Sequence, residues 1–247
     1  MTVPAGYTGL ARGARRALIR NDLVAALGPW LLRTPLGPPP NATSLAGGRG
    51  ATYRVTLERG GAIVRFGRRG GIIGRVLRSW YAGLHPRPWR ELRVSLAARD
   101  RGAPVPEVLA ACVHGWGVYR SAVVTDEIPG VTTAIEALHA VAPGSPRLAI
   151  ARAAGIAVAR LHAAGVVHVD LNLTNVLVGA AGAFVVDLDR ARVRVGALGR
   201  WDRRRSLRRL ARSARKLDPR REVVDGTLCR TFEHAYAGQG VEGTCEP

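Results

Sequence analysis

Asp170 and Asn175 stand five residues apart in "HVDLNLTNVLV", residues 168–178, and Asp187 closes an apolar run in "FVVDLDR", residues 184–190. Asp and Asn bond their own backbone and are frequent in turns, so a turn alone would account for the first segment. It does not account for the second, where a buried-looking strand ends abruptly in two carboxylates, Asp187 and Asp189. Asp170 and Asn175 flank a loop between two short apolar segments. Asp187 ends a strand that can pair with "NVLV" through the turn "GAAG", and such a hairpin brings Asn175 and Asp187 to the same end. Two oxygen-bearing side chains there suit a hard cation, Mg²⁺, with phosphate oxygens completing the shell. Asp170 nearby is an acceptor for a hydroxyl proton. A base, two metal-holding side chains and a nucleotide clamp are the parts that phosphoryl transfer to an alcohol requires.

The elements that would position these residues are legible around them. Before residue 40 lie a short apolar stretch, "LVAALGPWLL", and a proline-rich break, "TPLGPPPN". "TYRVTL" and "AIVRF" read as two strands joined at "ERGG". Apolar Leu92, Leu96 and Ala97 predict a helix over 89–101. "GAPVPEVLAACVHGWGVYRSAVVTDEIPG" reads as further strands. After Gly130 the pattern turns helical: Ser145 and Pro146 suit the cap and first turn of a helix to His162, and Gly165 suits its end. A β-rich half followed by a helix-rich half predicts an α+β chain of two lobes joined near residue 128.

The 247 residues are enough for a sizeable core, and 47% hydrophobic residues with a mean hydropathy of +0.03 is a globular composition. No apolar run has the length of a membrane span, and the first residues lack the apolar core of a signal peptide. The expectation is a protein that stays in the cytosol. Cys112, Cys229 and Cys245 lack metal-ligand spacing and read as reduced thiols. The net charge is +19, from 37 basic and 18 acidic residues, and Lys216 is the one lysine. Such a charge predicts attraction to polyanions: nucleic acid, an anionic membrane face or phosphorylated substrates. Residues 200–221 concentrate it, with ten Arg and one Lys against two Asp. Leu207, Leu210, Ala214 and Leu217 recur there at helical spacing, which predicts a helix packing that stripe inward with arginines in water; its outer face could also meet anionic headgroups.

H-x-D-x-x-x-x-N followed by a strand ending D-L-D resembles the catalytic and metal-binding loops of the protein-kinase-like superfamily. The fuller spelling, with "GGRGATYRV", "VRFGRRGGIIG", "RELRVSLAARDRGAPVPEVLAA" and "WDRRRSLRRLARSARK", resembles the lipopolysaccharide core kinases, and among them those acting on 3-deoxy-D-manno-octulosonic acid (Kdo). The resemblance runs from about residue 44 to 217. It implies a two-lobed kinase-like fold: an N-terminal extension over 1–43, a β-rich lobe over 44–128, and a helical lobe over 129–247. It implies Asp170 as catalytic base, His168 as brace of the catalytic loop, and Asn175 and Asp187 as Mg²⁺ ligands. Gly47, Gly48 and Gly50 fall where a glycine-rich loop covers the phosphates of ATP. Glu91 matches the helix glutamate that pairs with the strand cation. Backbone groups from Asp126 to Ile128 would meet adenine.

Three positions depart from the wider superfamily. Arg65 stands in the place of the usual strand lysine; an Arg can clamp phosphates and pair bidentately with Glu91. Asp189 replaces a Gly, and Asn172 replaces the Lys usual in protein kinases, which weighs against a protein substrate. The expected reaction is transfer of the ATP γ-phosphate to a hydroxyl of an inner-core sugar on lipid A, Kdo first, at the cytoplasmic face of the inner membrane. The expected partners are the lipid-linked core oligosaccharide and an anionic membrane surface, with no nucleic acid and no obligate protein partner. A heptose, another small alcohol or a protein as acceptor keeps the fold and changes the substrate. A non-catalytic kinase-like binding protein is the reading that loss of Asp170, Asn175 or Asp187 would have favoured. A nucleic-acid-binding protein fits the charge but not the loop, and no RNA-binding or zinc signature accompanies it.

Overall fold

The computed structural model describes residues 2–39, 41–45, 52–67, 81–83 and 86–239. Gly47, Gly48, Gly50 and Cys245 lie outside these residues, so the expectations placed on them go no further. The chain divides into two compact units, residues 1–93 with 107–128, and residues 94–106 with 129–247.

The first unit is built on one antiparallel sheet. Its strands are β1 (Tyr7–Arg12), β2 (Arg15–Arg20), β3 (Thr43–Ser44), β4 (Thr52–Leu57), β5 (Gly60–Phe66), β6 (Tyr81–Ala82), β7 (Val108–Trp116) and β8 (Val118–Asp126), with helix α1 (Val24–Leu31) after β2. The order is β1-β2-β7-β8-β5-β4-β3, with β6 also on β8. Strands β1 and β2, from the N-terminal segment, lie in the same sheet as the later strands: β2 pairs with β7, Leu18 opposite Ala111. Leu27, Trp30 and Leu31 of α1 share a core with Ile19, Val64, Leu109 and Val124. Each such aliphatic side chain removed from water contributes roughly 1.5–3 kcal/mol. Cys112 lies in this core, where burial pushes its thiol up to about 12. It is a buried free thiol.

Helix α2 (Arg87–Asp100) covers the helix expected over 89–101, and the division between units falls within it. Its second half belongs with the second unit because Val94 and Ala98, with Ala103 and Val105 beyond, share a core with Val158 and Leu161.

The second unit contains β9 (Thr132–Thr133), α3 (Ala134–Ala140), α4 (Ser145–Ala163), β10 (Val166–Val167), β11 (Val176–Gly179), β12 (Gly182–Val185), β13 (Arg192–Val193), α5 (Arg200–Leu217) and α6 (Gly226–Ala237). Thr133 and Glu136 form a reciprocal capping box at the start of α3. At α4 the cap position is Gly144, not Ser145; Ser145 and Pro146 form the first turn. Gly165 ends that helix with φ +77°, and a Cβ there would sit 2.2 Å from the Gly196 carbonyl oxygen. Helix α6 packs closely on α4 at Gly155, whose missing side chain admits the Phe232 backbone. Between them His162 is buried, its Nδ1 2.7 Å from the Tyr236 hydroxyl and its Nε2 3.0 Å from the Ser206 hydroxyl of α5. Burial above all, then Arg203 and His168, lowers its pKa to about 3, so the ring is neutral.

Candidate active site

The loop after β10 is held from both ends. His168 is buried, and its Nε2 donates to the Val186 carbonyl at 3.0 Å while its Nδ1 accepts the Asp170 N–H at 3.2 Å. One nitrogen donates and the other accepts, which fits one neutral tautomer. Burial pushes the His168 pKa down and keeps it in that state, against the opposing pull of the Val186 carbonyl and of Asp187, Asp170 and Asp189. One imidazole thus ties the Asp170 backbone to the residue before Asp187.

Asn172 organises the loop between them. Its Oδ1 accepts the Thr174 N–H at 2.9 Å, the Thr174 hydroxyl at 2.6 Å and the Asn175 N–H at 3.0 Å, and its Nδ2 donates to the Asp170 carbonyl at 3.0 Å. This is an Asx turn with its donor side engaged as well. The Asp170 carbonyl also accepts from Nδ2 of Asn175 at 2.9 Å. That bond engages the nitrogen end of the Asn175 amide and leaves Oδ1 as the end available to a cation. Leu171 and Leu173 are buried and anchor the loop, while Asp170 is exposed and Asn175 half-buried. From α5, the Ser213 hydroxyl accepts the Leu173 N–H at 3.3 Å.

Asp187 arrives by the expected hairpin. Val176 faces Val185 across β11 and β12, and beyond the last pair the Val186 N–H donates to the Asn175 carbonyl at 2.9 Å. Asn175 and Asp187 are thereby brought to one end of the hairpin. Asp187 has φ +65°, a left-handed conformation that non-glycine residues adopt at a cost and that collects at functional sites. Among the described residues no group of three His, Cys, Asp or Glu could hold a metal by itself. An amide oxygen and a carboxylate fit Mg²⁺, which is commonly bound by one or two protein oxygens with phosphates and waters.

Arg65 and Glu91 lie in the first unit. Arg65 of β5 sits opposite Val123 of β8, and its Nη2 makes an ion pair with Oε1 of Glu91 on α2. Glu91 is only 5% exposed; a carboxylate that deep needs a partner. At the end of β8 the Asp126 N–H donates to Glu107 and the Glu127 N–H to Gly61, and Asp126 and Ile128 are half-buried. Asp189 is half-buried in the second unit.

Sequence reasoning passed over two contributors. Asn172 appeared only as a departure from a family pattern, although an Asn two residues from a loop carbonyl and two before a Thr N–H is a signal for an Asx turn. Ser213 gave no signal, since helical periodicity says which stripe packs and not which loop it meets.

The lipopolysaccharide kinase (Kdo/WaaP) family model matches residues 42–227. The chain is 37% identical over 204 residues to a 3-deoxy-D-manno-octulosonic acid kinase of Xanthomonas euvesicatoria pv. vesicatoria (strain 85-10), covering 79% of this chain and 80% of that one. It is 35% identical over 191 residues to the enzyme of the same name from Xylella fastidiosa (strain M12), covering 76% and 74%. Among solved structures it resembles WaaP in complex with acyl carrier protein, with a TM-score of 0.52 and 22% identity over 80% of this chain and 78% of that one. That last likeness is one of fold, and it agrees with the α+β, kinase-like architecture expected from the sequence.

Proposed function

The chain belongs to the lipopolysaccharide kinase (Kdo/WaaP) family, and from that membership and the loop geometry we propose that it transfers the γ-phosphate of ATP to a hydroxyl of Kdo on lipid A. The observation that carries the reading is the bracing of Asp170, Asn175 and Asp187 through one buried histidine and one hairpin. Asp170, exposed on a loop fixed at both ends, accepts the proton of the acceptor hydroxyl as its oxygen bonds to the γ-phosphorus. The bond from that phosphorus to the bridging oxygen breaks, and ADP leaves. Asn175 Oδ1 and the Asp187 carboxylate would hold Mg²⁺, which neutralises charge on the phosphate oxygens. Arg65, kept in place by Glu91, clamps the phosphates of ATP. With the N–H groups of Asp126 and Glu127 already engaged, the Ile128 N–H is the hinge donor for adenine.

The acceptor is lipid-linked, so the enzyme works at an anionic membrane surface, on the cytoplasmic face of the inner membrane where ATP is present. Among the described residues no helix is long and apolar enough to cross a membrane. Support for peripheral binding comes from α5: Arg200, Arg204, Arg205, Arg208, Arg212 and Arg215 are exposed. Trp201 at its start is 75% exposed, and Val195 in the segment before it is fully so. These two flank the Arg194–Asp202 ion pair at 3.6 Å. Exposed aromatic and aliphatic side chains among arginines suit the headgroup region of an anionic bilayer.

The test is γ-phosphate transfer from ATP to purified Kdo–lipid A, compared with heptosylated core and a generic protein substrate. Kdo–lipid A as the preferred acceptor supports the reading. Preference for heptosylated core or for protein moves the assignment to that acceptor, and transfer to none of them removes the enzyme reading.

A further inference from the structure

One edge of α5 meets the catalytic loop. Ser213 accepts the Leu173 N–H there, between Asp170 and Asn175. Arg209 lies one helical turn before Ser213 and so on the same edge. It is half-buried, whereas Arg204, Arg208, Arg212 and Arg215 are exposed. Among the described residues Arg209 makes no ion pair with a carboxylate. Partial burial lowers its pKa, as do Arg205 and Arg212, and the one influence raising it is the Asp170 carboxylate. That carboxylate is near enough to act on Arg209 without forming a salt bridge to it.

A half-buried guanidinium without its own counter-ion, crowded by two like charges beside a catalytic carboxylate, favours an anionic ligand with two oxygens to offer. We propose that Arg209, with Arg205 and Arg212 adding positive field behind it, binds the carboxylate of an acid-sugar acceptor and so sets which hydroxyl faces Asp170. This rests on the reading of the chain as a kinase of such a sugar, and it adds the group by which an acid sugar is told from a neutral one. A neutral heptose would leave the Arg209 cation uncompensated, and rejection of this kind is how polar sites achieve specificity.

The test uses the methyl glycoside of Kdo as free acid and as carboxyl methyl ester, both water-soluble, with the full chain and no vesicles. Calorimetric binding and initial rates are measured for the unmodified protein, Arg209→Gln and Arg209→Lys. The acid should bind about 10-fold or more tightly than the ester to the unmodified protein, the size expected of a charge-assisted contact. Arg209→Gln should bring that ratio close to one with ester binding and KM for ATP unchanged, and Arg209→Lys should give an intermediate ratio. Ester binding by the same variant reports that it is folded, and if Arg209→Gln does not fold, the lysine variant decides. An acid-to-ester ratio the same in all three proteins, or near one in the unmodified protein, overturns the proposal even if transfer is efficient. Arg209-dependent binding of the acid without phosphate transfer overturns the kinase reading instead and leaves the anion site standing.

Discussion

Asn175 donates from Nδ2 to the carbonyl oxygen of Asp170 at 2.9 Å. The residue proposed to take the proton and a residue proposed to hold the metal are thus one hydrogen-bonded piece, with Asn172 on the same carbonyl at 3.0 Å. A base and a metal ligand so joined keep their spacing when substrate binds, which is the preorganisation that phosphoryl transfer depends on.

If Asn175 and Asp187 hold Mg²⁺, transfer should stop when divalent cations are chelated and return when Mg²⁺ is restored. Asp187→Asn should weaken Mg–ATP binding measured by calorimetry. It keeps the shape of a residue at φ +65°, which Asn tolerates, so a folded variant is expected. Full activity in chelator would contradict the metal assignment.

Arg65 and Glu91 give a prediction about both stability and binding. Arg65→Ala leaves the Glu91 carboxylate, 5% exposed, without this partner, and removing one member of a buried pair costs about 3 kcal/mol. Thermal denaturation should show a clear loss. Arg65→Lys keeps the charge but not the planar fork, so it should fold and raise KM for ATP. Glu91→Ala should raise the same KM. An unchanged KM in Arg65→Lys and in Glu91→Ala would mean that another arginine clamps the phosphates.

The buried imidazoles set an acid limit. His162 titrates near pH 3 in the folded chain against about 6.5 unfolded, and His168 is shifted the same way. A depressed folded pKa means the unfolded state binds more protons. The stabilisation is complete above pH 6.5 and is lost as pH falls toward the folded value, by up to ~1.4 kcal/mol per pH unit for each histidine. Urea unfolding should therefore show falling stability between pH 7 and 5, with a shallower fall in His162→Gln. The NMR signals of His162 should stay those of a neutral ring at pH 5, and an imidazole titrating near 6.5 would refute the account.

Membrane contact through α5 should depend on its outer face. Arg204→Gln with Arg208→Gln, and separately Trp201→Ala, should weaken sedimentation with anionic vesicles; each arginine near such a surface contributes roughly 1 kcal/mol. Salt should weaken binding of the unmodified protein, because exposed charges are screened over about 8 Å at physiological ionic strength. Arg203 is unsuitable for this test although the sequence places it among solvated arginines: it is half-buried and its Nε is enclosed. Salt-independent vesicle binding, or none, would leave the charge as a solvated face.

What the sequence revealed and what it concealed follow from range. The hairpin that joins Asn175 to Asp187 spans a dozen residues, so alternation and a glycine turn were enough to pair it. The Arg65–Glu91 pair links strand and helix across 26 positions, and only the resemblance brought those two together. The place of β1 and β2 is hidden because β2 finds its partner in β7, Leu18 against Ala111, and nothing local to either strand specifies the other. On α5 the stripe of Leu207, Leu210 and Ala214 does pack inward, while Leu217 at the last position of the helix is 39% exposed. What the helix edge touches, Leu173 through Ser213, depends on how loop and helix meet, which no periodicity encodes.

The most direct measurement is the single-turnover rate of γ-phosphate transfer from ATP to Kdo–lipid A by the unmodified protein and by Asp170→Ala, with nucleotide affinity measured on both. The account predicts transfer by the unmodified protein and a loss of at least ~10²-fold in Asp170→Ala, with ATP binding and thermal stability close to unchanged. A folded, ATP-binding Asp170→Ala protein that transfers phosphate at a near-normal rate would contradict the assignment of Asp170 as the base, and with it the mechanism built on this loop.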